Sequence, residues 1–204
     1  YQTNAGLAMP SSQQRQARPS ARQTALYSGR WEWEIAAVLL LHTGLLAWSA
    51  SSHSPVFNEE GHLVGGLSHL LSGTFDLARV NPPLVRTVGA LPVAIGSPSI
   101  SLSGCDSDPW MRSEYVQGLE FLRANRSRSF LFVTMARLAC IPFSAVGGYV
   151  CSRWACRLYG RGAGLFALLL WCSCPYVLGH APLLAADAPA AAMGLVAAYT
   201  FWTW

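Results

Sequence analysis

The stretch from Ile35 to Ala50 contains no charged side chain and is preceded by Trp31 and Trp33. With these flanking residues it approaches the roughly 20 apolar residues that a helix needs to cross a bilayer, and tryptophan is enriched at bilayer surfaces. We therefore predict a transmembrane helix here. Three later stretches have a similar character, so we expect an all-α, polytopic membrane protein with about four spans, at residues 33–51, 130–150, 162–179 and 187–204.

The composition of the 204-residue chain agrees with this class of protein. Hydrophobic residues make up 52% and charged residues only 12% of it, whereas charged residues supply about a quarter of an ordinary soluble domain. The 14 basic residues are all arginine, leave a formal net charge of +4 and are scattered along the sequence. This charge is too small and too dispersed for a nucleic-acid-binding surface, so we expect a lipid bilayer and no nucleic acid as partner.

The distribution of arginine predicts the orientation of the spans. Residues 1–30 and residues 151–162 carry several arginines and no acid, and the positive-inside rule places both segments in the cytoplasm. We interpret 1–30 as a disordered basic tail, because its polar composition cannot build a core, and 31–204 as a transmembrane domain. The long segment 52–129 then lies on the outer, or periplasmic, face of an inner (plasma) membrane.

The outer segment 52–129 is too long to be an unstructured loop. Its pattern predicts an amphipathic helix over Glu59–Ser72 and a second helix that begins at Pro82 or Pro83, with Asn81 as its N-cap. The apolar run 84–95 is typical of a helix at the membrane interface, and residues 110–124 also have a helical pattern.

Several polar residues of this outer face could take part in chemistry. On the first predicted helix, Glu59, His62 and His69 follow helical spacing and share one face. A carboxylate at a membrane interface can serve as a general base, although the same face could simply be solvated or could ligate a divalent cation. Asn81 and Arg86 stand at a helix start, where amide groups and a cation favour phosphate.

Two charged residues lie within or beside apolar runs. Asp187 stands at the mouth of the fourth predicted span, where an ionised side chain needs a partner or a function. It could also be the N-cap of that helix, with Pro189 in the first turn. Arg137 lies within the second predicted span, where it could extend toward the surface or meet an anion in a polar cavity.

Two groups of motifs occur in a defined order. The first is the acidic pair Glu59-Glu60 with His62, followed by Gly73-Thr-Phe-Asp76 and Asn81-Pro-Pro-Leu84; the second is His180-Ala-Pro-Leu-Leu-Ala-Ala-Asp187-Ala-Pro189. This order resembles that of the polyprenyl-phosphate-dependent membrane glycosyltransferases of GT-C fold, which include protein O-mannosyltransferases and aminoarabinose transferases. The resemblance covers roughly residues 31–204.

The resemblance implies an inverting transfer of a sugar from a polyprenyl-phosphate carrier to a hydroxyl of an acceptor lipid, glycan or protein at the outer face. It also implies that this chain is the N-terminal part of a longer enzyme, which the start at Tyr1 and the apolar end at Trp204 support. We expect no cofactor other than a possible divalent metal ion, bound if at all by Glu59 and Asp187.

The resemblance gives roles to individual residues. Glu59 or Glu60 would be the base, and Asp187 an acid beside the carrier phosphate or a metal. Substrate or phosphate would be bound by His62, Asn81, Arg86 and Arg137. Many members have Asp-Glu where this chain has Asn58-Glu59, so the first acid is an amide; helical phase favours Glu59 over Glu60, which points about 100° away.

Two other classes stay open at this point. A transporter or channel subunit would also place charges at helix mouths, but it does not predict a long outer segment with interfacial helices. A non-catalytic membrane scaffold would tolerate a changed acid, and Asn58 keeps that alternative open.

Overall fold

The computed structural model of the protein describes residues 21–102 and 112–204, with side chains described from residue 30 onwards. These ranges are all-helical and contain no strand, which confirms the predicted all-α class. The eight α-helices are α1 (Ala21–Ser52), α2 (Glu59–Ser72), α3 (Pro83–Ile95), α4 (Ser113–Asn125), α5 (Ser129–Tyr159), α6 (Arg161–Ser173), α7 (Pro175–His180) and α8 (Asp187–Thr203); a 3₁₀ turn, Arg126–Arg128, joins α4 to α5.

Helix α1 begins at Ala21, inside the segment 1–30 that the sequence predicted as a disordered tail. Residues 21–30 of that segment are therefore helical, which corrects this part of the expectation, because Ala21, Ala25 and Leu26 are strong helix formers that extend the span toward the N-terminus. Residues 1–20 lie outside the described part of the chain.

The helices of the outer segment follow the predicted pattern closely. Helix α2 has the predicted bounds and ends at Gly73, whose φ of 69° places it in the left-handed region that favours glycine. Helix α3 begins at Pro83 with Pro82 as its N-cap residue. Asn81 therefore stands one position too early to be the predicted N-cap, because two consecutive prolines set the start of the helix.

The third predicted span, 162–179, consists of two helices. Helix α6 ends at Ser173, Cys174 adopts an extended conformation, and α7 starts at Pro175. The break follows from local chemistry, because the residue before a proline is forced out of the helical region. Helix α8 begins at Asp187 itself, with Ala186 as the N-cap residue, so the predicted cap is instead a first-turn acid that favours the helix dipole.

Helix α5 is the centre of the fold and packs against α1, α3, α6 and α8. Small residues allow this packing: a Cβ atom on Gly147 would lie 2.6 Å from the Trp171 ring. A core cluster that includes Leu67, Val93 and Phe132 joins α2, α3, α4 and α5. The outer segment is thereby packed onto one end of α5 rather than lying apart from the bundle.

Two helices in the described ranges are long and apolar enough to cross a membrane: residues 30–52 of α1 and the segment 113–159, which contains α5. Core helices of soluble proteins and signal sequences also meet these criteria of length and composition, so the finding supports membrane association without fixing the number of spans. Large apolar side chains of α1, including Leu40 and Trp48, are exposed on the surface of the bundle, as expected of a helix that faces lipid.

Candidate functional site

A buried ion pair joins α2 to α5. The Nε atom of Arg137 donates to Oε1 of Glu59 at 2.9 Å, and its Nη2 atom donates to Oε2 at 2.6 Å. Both side chains are buried. A two-point contact between guanidinium and carboxylate is the strongest geometry for such a pair, and it offsets part of the cost of removing both charges from water.

The remaining hydrogen-bonding capacity of this pair is also used. Arg137 donates to the carbonyl oxygens of Ala50, His53 and Ser54 at 2.7–3.0 Å. The Glu59 carboxylate accepts the backbone N–H of Val56 at 2.9 Å and that of Leu184 at 2.8 Å. The pair thus connects the end of α1, the start of α2, the middle of α5 and the segment that precedes α8.

This geometry changes the interpretation of two predicted site residues. Glu59 lies on the same helix as His62 and His69, as predicted, but its two oxygen atoms are directed into the protein and accept four hydrogen bonds. Arg137 uses all five of its N–H groups on Glu59 and on carbonyl oxygens, so it has none left for a substrate phosphate. The structure therefore places both residues in a buried structural contact.

A polar groove lies beside this pair at one end of the bundle. It consists of two adjoining pockets that share His62 and Asn81. One pocket continues to Arg86 and to residues 184–186, and the other continues to the start of α4. The groove thus brings together His62, Asn81 and Arg86, three residues that the sequence predicted for substrate binding.

His62 is half-buried in this groove, and burial lowers the pKa of its imidazole. The nearby cation Arg86 lowers that pKa further, while Glu114 and Asp187 act in the opposite direction. The net effect is a lowered pKa, so the imidazole is neutral at pH 7 and can accept a proton.

Arg86 forms the floor of the groove and is 3% exposed. Its guanidinium donates to the carbonyl oxygens of Ala78 and Asn81. These carbonyl oxygens accept hydrogen bonds without neutralising its charge, and no ion pair of the described residues includes it. Burial lowers the pKa of the guanidinium, and the charge of Glu114 acts in the opposite direction. A Cβ atom on Gly66 would lie 2.1 Å from the Arg86 carbonyl oxygen, so a glycine at this position lets α2 approach α3 and places Arg86 under the groove.

The start of α4 supplies three residues of the groove that the sequence reasoning missed: Arg112, Glu114 and Tyr115. Glu114 is buried and forms an ion pair with Arg112, which also donates to the Tyr115 hydroxyl at 2.7 Å. The only signal in the sequence was an acid in the first turn of a predicted helix, a position that is usually structural. Gly61 of α2 lies next to Glu114, and a Cβ atom at position 61 would lie 3.3 Å from the Glu114 side chain. The glycine therefore lets α2 pack closely against the start of α4.

The other predicted acids lie outside the groove lining. Glu60 is buried against α4, where a Cβ atom on Gly118 would lie 2.7 Å from its side chain. Asp187 is exposed on the first turn of α8, close enough to His62 for its charge to act on that imidazole. In the described ranges, no group of three or more His, Cys, Asp and Glu residues is arranged to hold a metal ion.

Comparisons of the chain with protein-family models, with curated proteins and with solved structures found no match.

The buried pair gives a direct stability prediction. Glu59→Gln or Arg137→Gln leaves the opposite charge buried and unpaired, which we expect to lower the free energy of unfolding by about 3–5 kcal/mol. The double variant should lose clearly less than the sum of the two single losses, because neither charge is then left alone. Thermal unfolding of the purified protein in detergent measures these losses in stability. The control is Glu34→Gln, which changes an exposed acid of α1 and should unfold as the wild type does. Strict additivity of the two losses would refute the coupling.

Proposed function

We propose that the chain forms the N-terminal part of a membrane glycosyltransferase that transfers a sugar from a polyprenyl-phosphate carrier to an acceptor hydroxyl. The observation that carries the proposal is Arg86, a buried cation without an ion pair in the described ranges, on the floor of a groove that also holds a neutral imidazole. The order of motifs along the sequence supports the same class of enzyme.

Arg86 gives the groove a side that favours an anion. A buried cation that forms no ion pair gains from an anionic ligand, because the surrounding protein screens its charge poorly. In the proposed reaction this ligand is the phosphate of the carrier. As the bond between the sugar and the phosphate oxygen breaks, the electron pair passes to that oxygen, and Arg86 stabilises the charge that develops there.

His62 gives the groove a side that accepts a proton. The acceptor hydroxyl forms the new bond to the sugar carbon, and its proton must pass to a base in the same step. His62 is neutral at pH 7 and lies within the groove, whereas the oxygen atoms of Glu59 are fully bonded to Arg137 and backbone N–H groups. We therefore assign proton acceptance to His62, with Asp187 beside it, and assign a supporting role to Glu59.

The proposal also includes four spans, formed by α1, α5, the pair α6 and α7, and α8, with the groove on the outer face. The arginines of residues 151–162 support this orientation through the positive-inside rule. An epitope inserted after Ser97 should bind an impermeant antibody on spheroplasts, in which the periplasmic face is accessible, whereas one inserted after Gly160 should bind only after permeabilisation. Because α5 alone separates these sites, binding from the same side would contradict the topology.

The test of function is sugar transfer from a polyprenyl-phosphate donor by the protein in its native membranes. We expect Arg86→Gln to lower the rate by about a hundredfold, the size of a lost transition-state donor, and His62→Gln to lower it by about a hundredfold or more. The wild-type rate should also fall with decreasing pH below about 6.5, because protonation of His62 removes the base.

Arg123→Gln, which changes an exposed arginine of α4, is the matched control and should transfer at the wild-type rate. An unchanged rate for Arg86→Gln at equal expression would contradict the phosphate role. Absence of transfer by every version, together with substrate flux into vesicles, would instead support the transporter alternative.

A further inference from the structure

A second cavity lies between α1 and α5 at the opposite end of the bundle from the polar groove. It is open, has a volume of about 340 Å³ and has apolar walls that include Ile35 and Leu39. Four side chains with polar atoms also line it: Trp31, Glu32, Tyr149 and Arg153. The proposed sugar transfer uses none of them.

Trp31 contributes its indole ring to the wall of the cavity. The residue is 8% exposed, and its indole N–H is buried without a hydrogen-bond partner within the described ranges. A ligand in the cavity therefore contacts the aromatic ring rather than this N–H group.

Arg153 places a cation beside this ring. Its guanidinium carbon lies 5.5 Å from the centre of the Trp31 ring, so the cation and the aromatic ring are neighbours on one wall. Glu32 adds a carboxylate to the same cavity. The ion pairs of the described residues include neither Arg153 nor Glu32, so each charge can contact a ligand that carries the opposite charge.

We propose that this cavity binds a phospholipid whose headgroup is phosphoethanolamine. The phosphate accepts hydrogen bonds from Arg153, and the primary ammonium group of the headgroup donates to Glu32. One acyl chain lies along Ile35 and Leu39. Basic pockets between transmembrane helices bind lipid headgroups by the same chemistry.

The presence of both charges selects this headgroup over two common alternatives. A phosphocholine headgroup carries three methyl groups on its nitrogen and cannot donate a hydrogen bond to Glu32. A phosphoglycerol headgroup has no cation for Glu32 and would place a net negative charge close to that carboxylate. The proposal requires a membrane protein but does not depend on sugar transfer.

Native mass spectrometry of the detergent-solubilised protein tests the proposal, with phosphatidylethanolamine, phosphatidylcholine and phosphatidylglycerol of identical acyl chains as probes. We expect the wild-type protein to retain phosphatidylethanolamine about tenfold better than the other two lipids, the size of one charge-assisted hydrogen bond. Equal retention of phosphatidylethanolamine and phosphatidylcholine, or preference for phosphatidylglycerol, would overturn the proposal.

Variants locate the site. Arg153→Gln should lose about tenfold in retention of phosphatidylethanolamine, whereas Arg157→Gln, one turn further along α5 and outside the cavity, should bind as the wild type does. Glu32→Gln should bind phosphatidylethanolamine and phosphatidylcholine equally, with Glu34→Gln as its control. Equal loss in Arg153→Gln and Arg157→Gln would show general attraction by the arginine-rich end and would overturn the site.

Discussion

The packing around the polar groove depends on one buried ion pair, Glu59 with Arg137. A charged pair removed from water is tolerated only when its hydrogen-bonding groups are satisfied, and here the remaining partners are backbone groups from separate segments. Three carbonyl oxygens at and just after the end of α1 and the backbone N–H of Leu184 bind to the pair. These hydrogen bonds fix where α2 and the segment before α8 lie relative to α5.

The groove is a consequence of that arrangement. Its two sides, the α2 face with His62 and residues 184–186, are both attached to the ion pair through Glu59. Glycines at the α2 contacts with α3 and α4 let Arg86 and Glu114 pack against the helix that carries His62. The groove thereby combines the buried cation of Arg86 with the neutral imidazole of His62.

Much of the helical architecture could be predicted from local pattern. The bounds of α2 follow from its acids and its terminal glycine, and the start of α3 follows from two prolines. The partners of the charged residues could not be predicted, because helical phase shows which residues share a face but not what that face contacts. Glu59 and Arg137 are 78 residues apart in sequence, and only the folded structure brings them together. The same holds for Glu114, whose burial depends on contact with α2.

The central claim is that a lipid-linked phosphate occupies the groove above Arg86. A photoreactive side chain at Val80, which lines the groove, measures this most directly by capturing polyprenyl phosphate in membranes. The account predicts capture at position 80, little capture from Leu71 at the far end of α2, and loss of capture at position 80 when Arg86→Gln is added. Equal capture from both positions, or capture at position 80 that Arg86→Gln leaves unchanged, would contradict it.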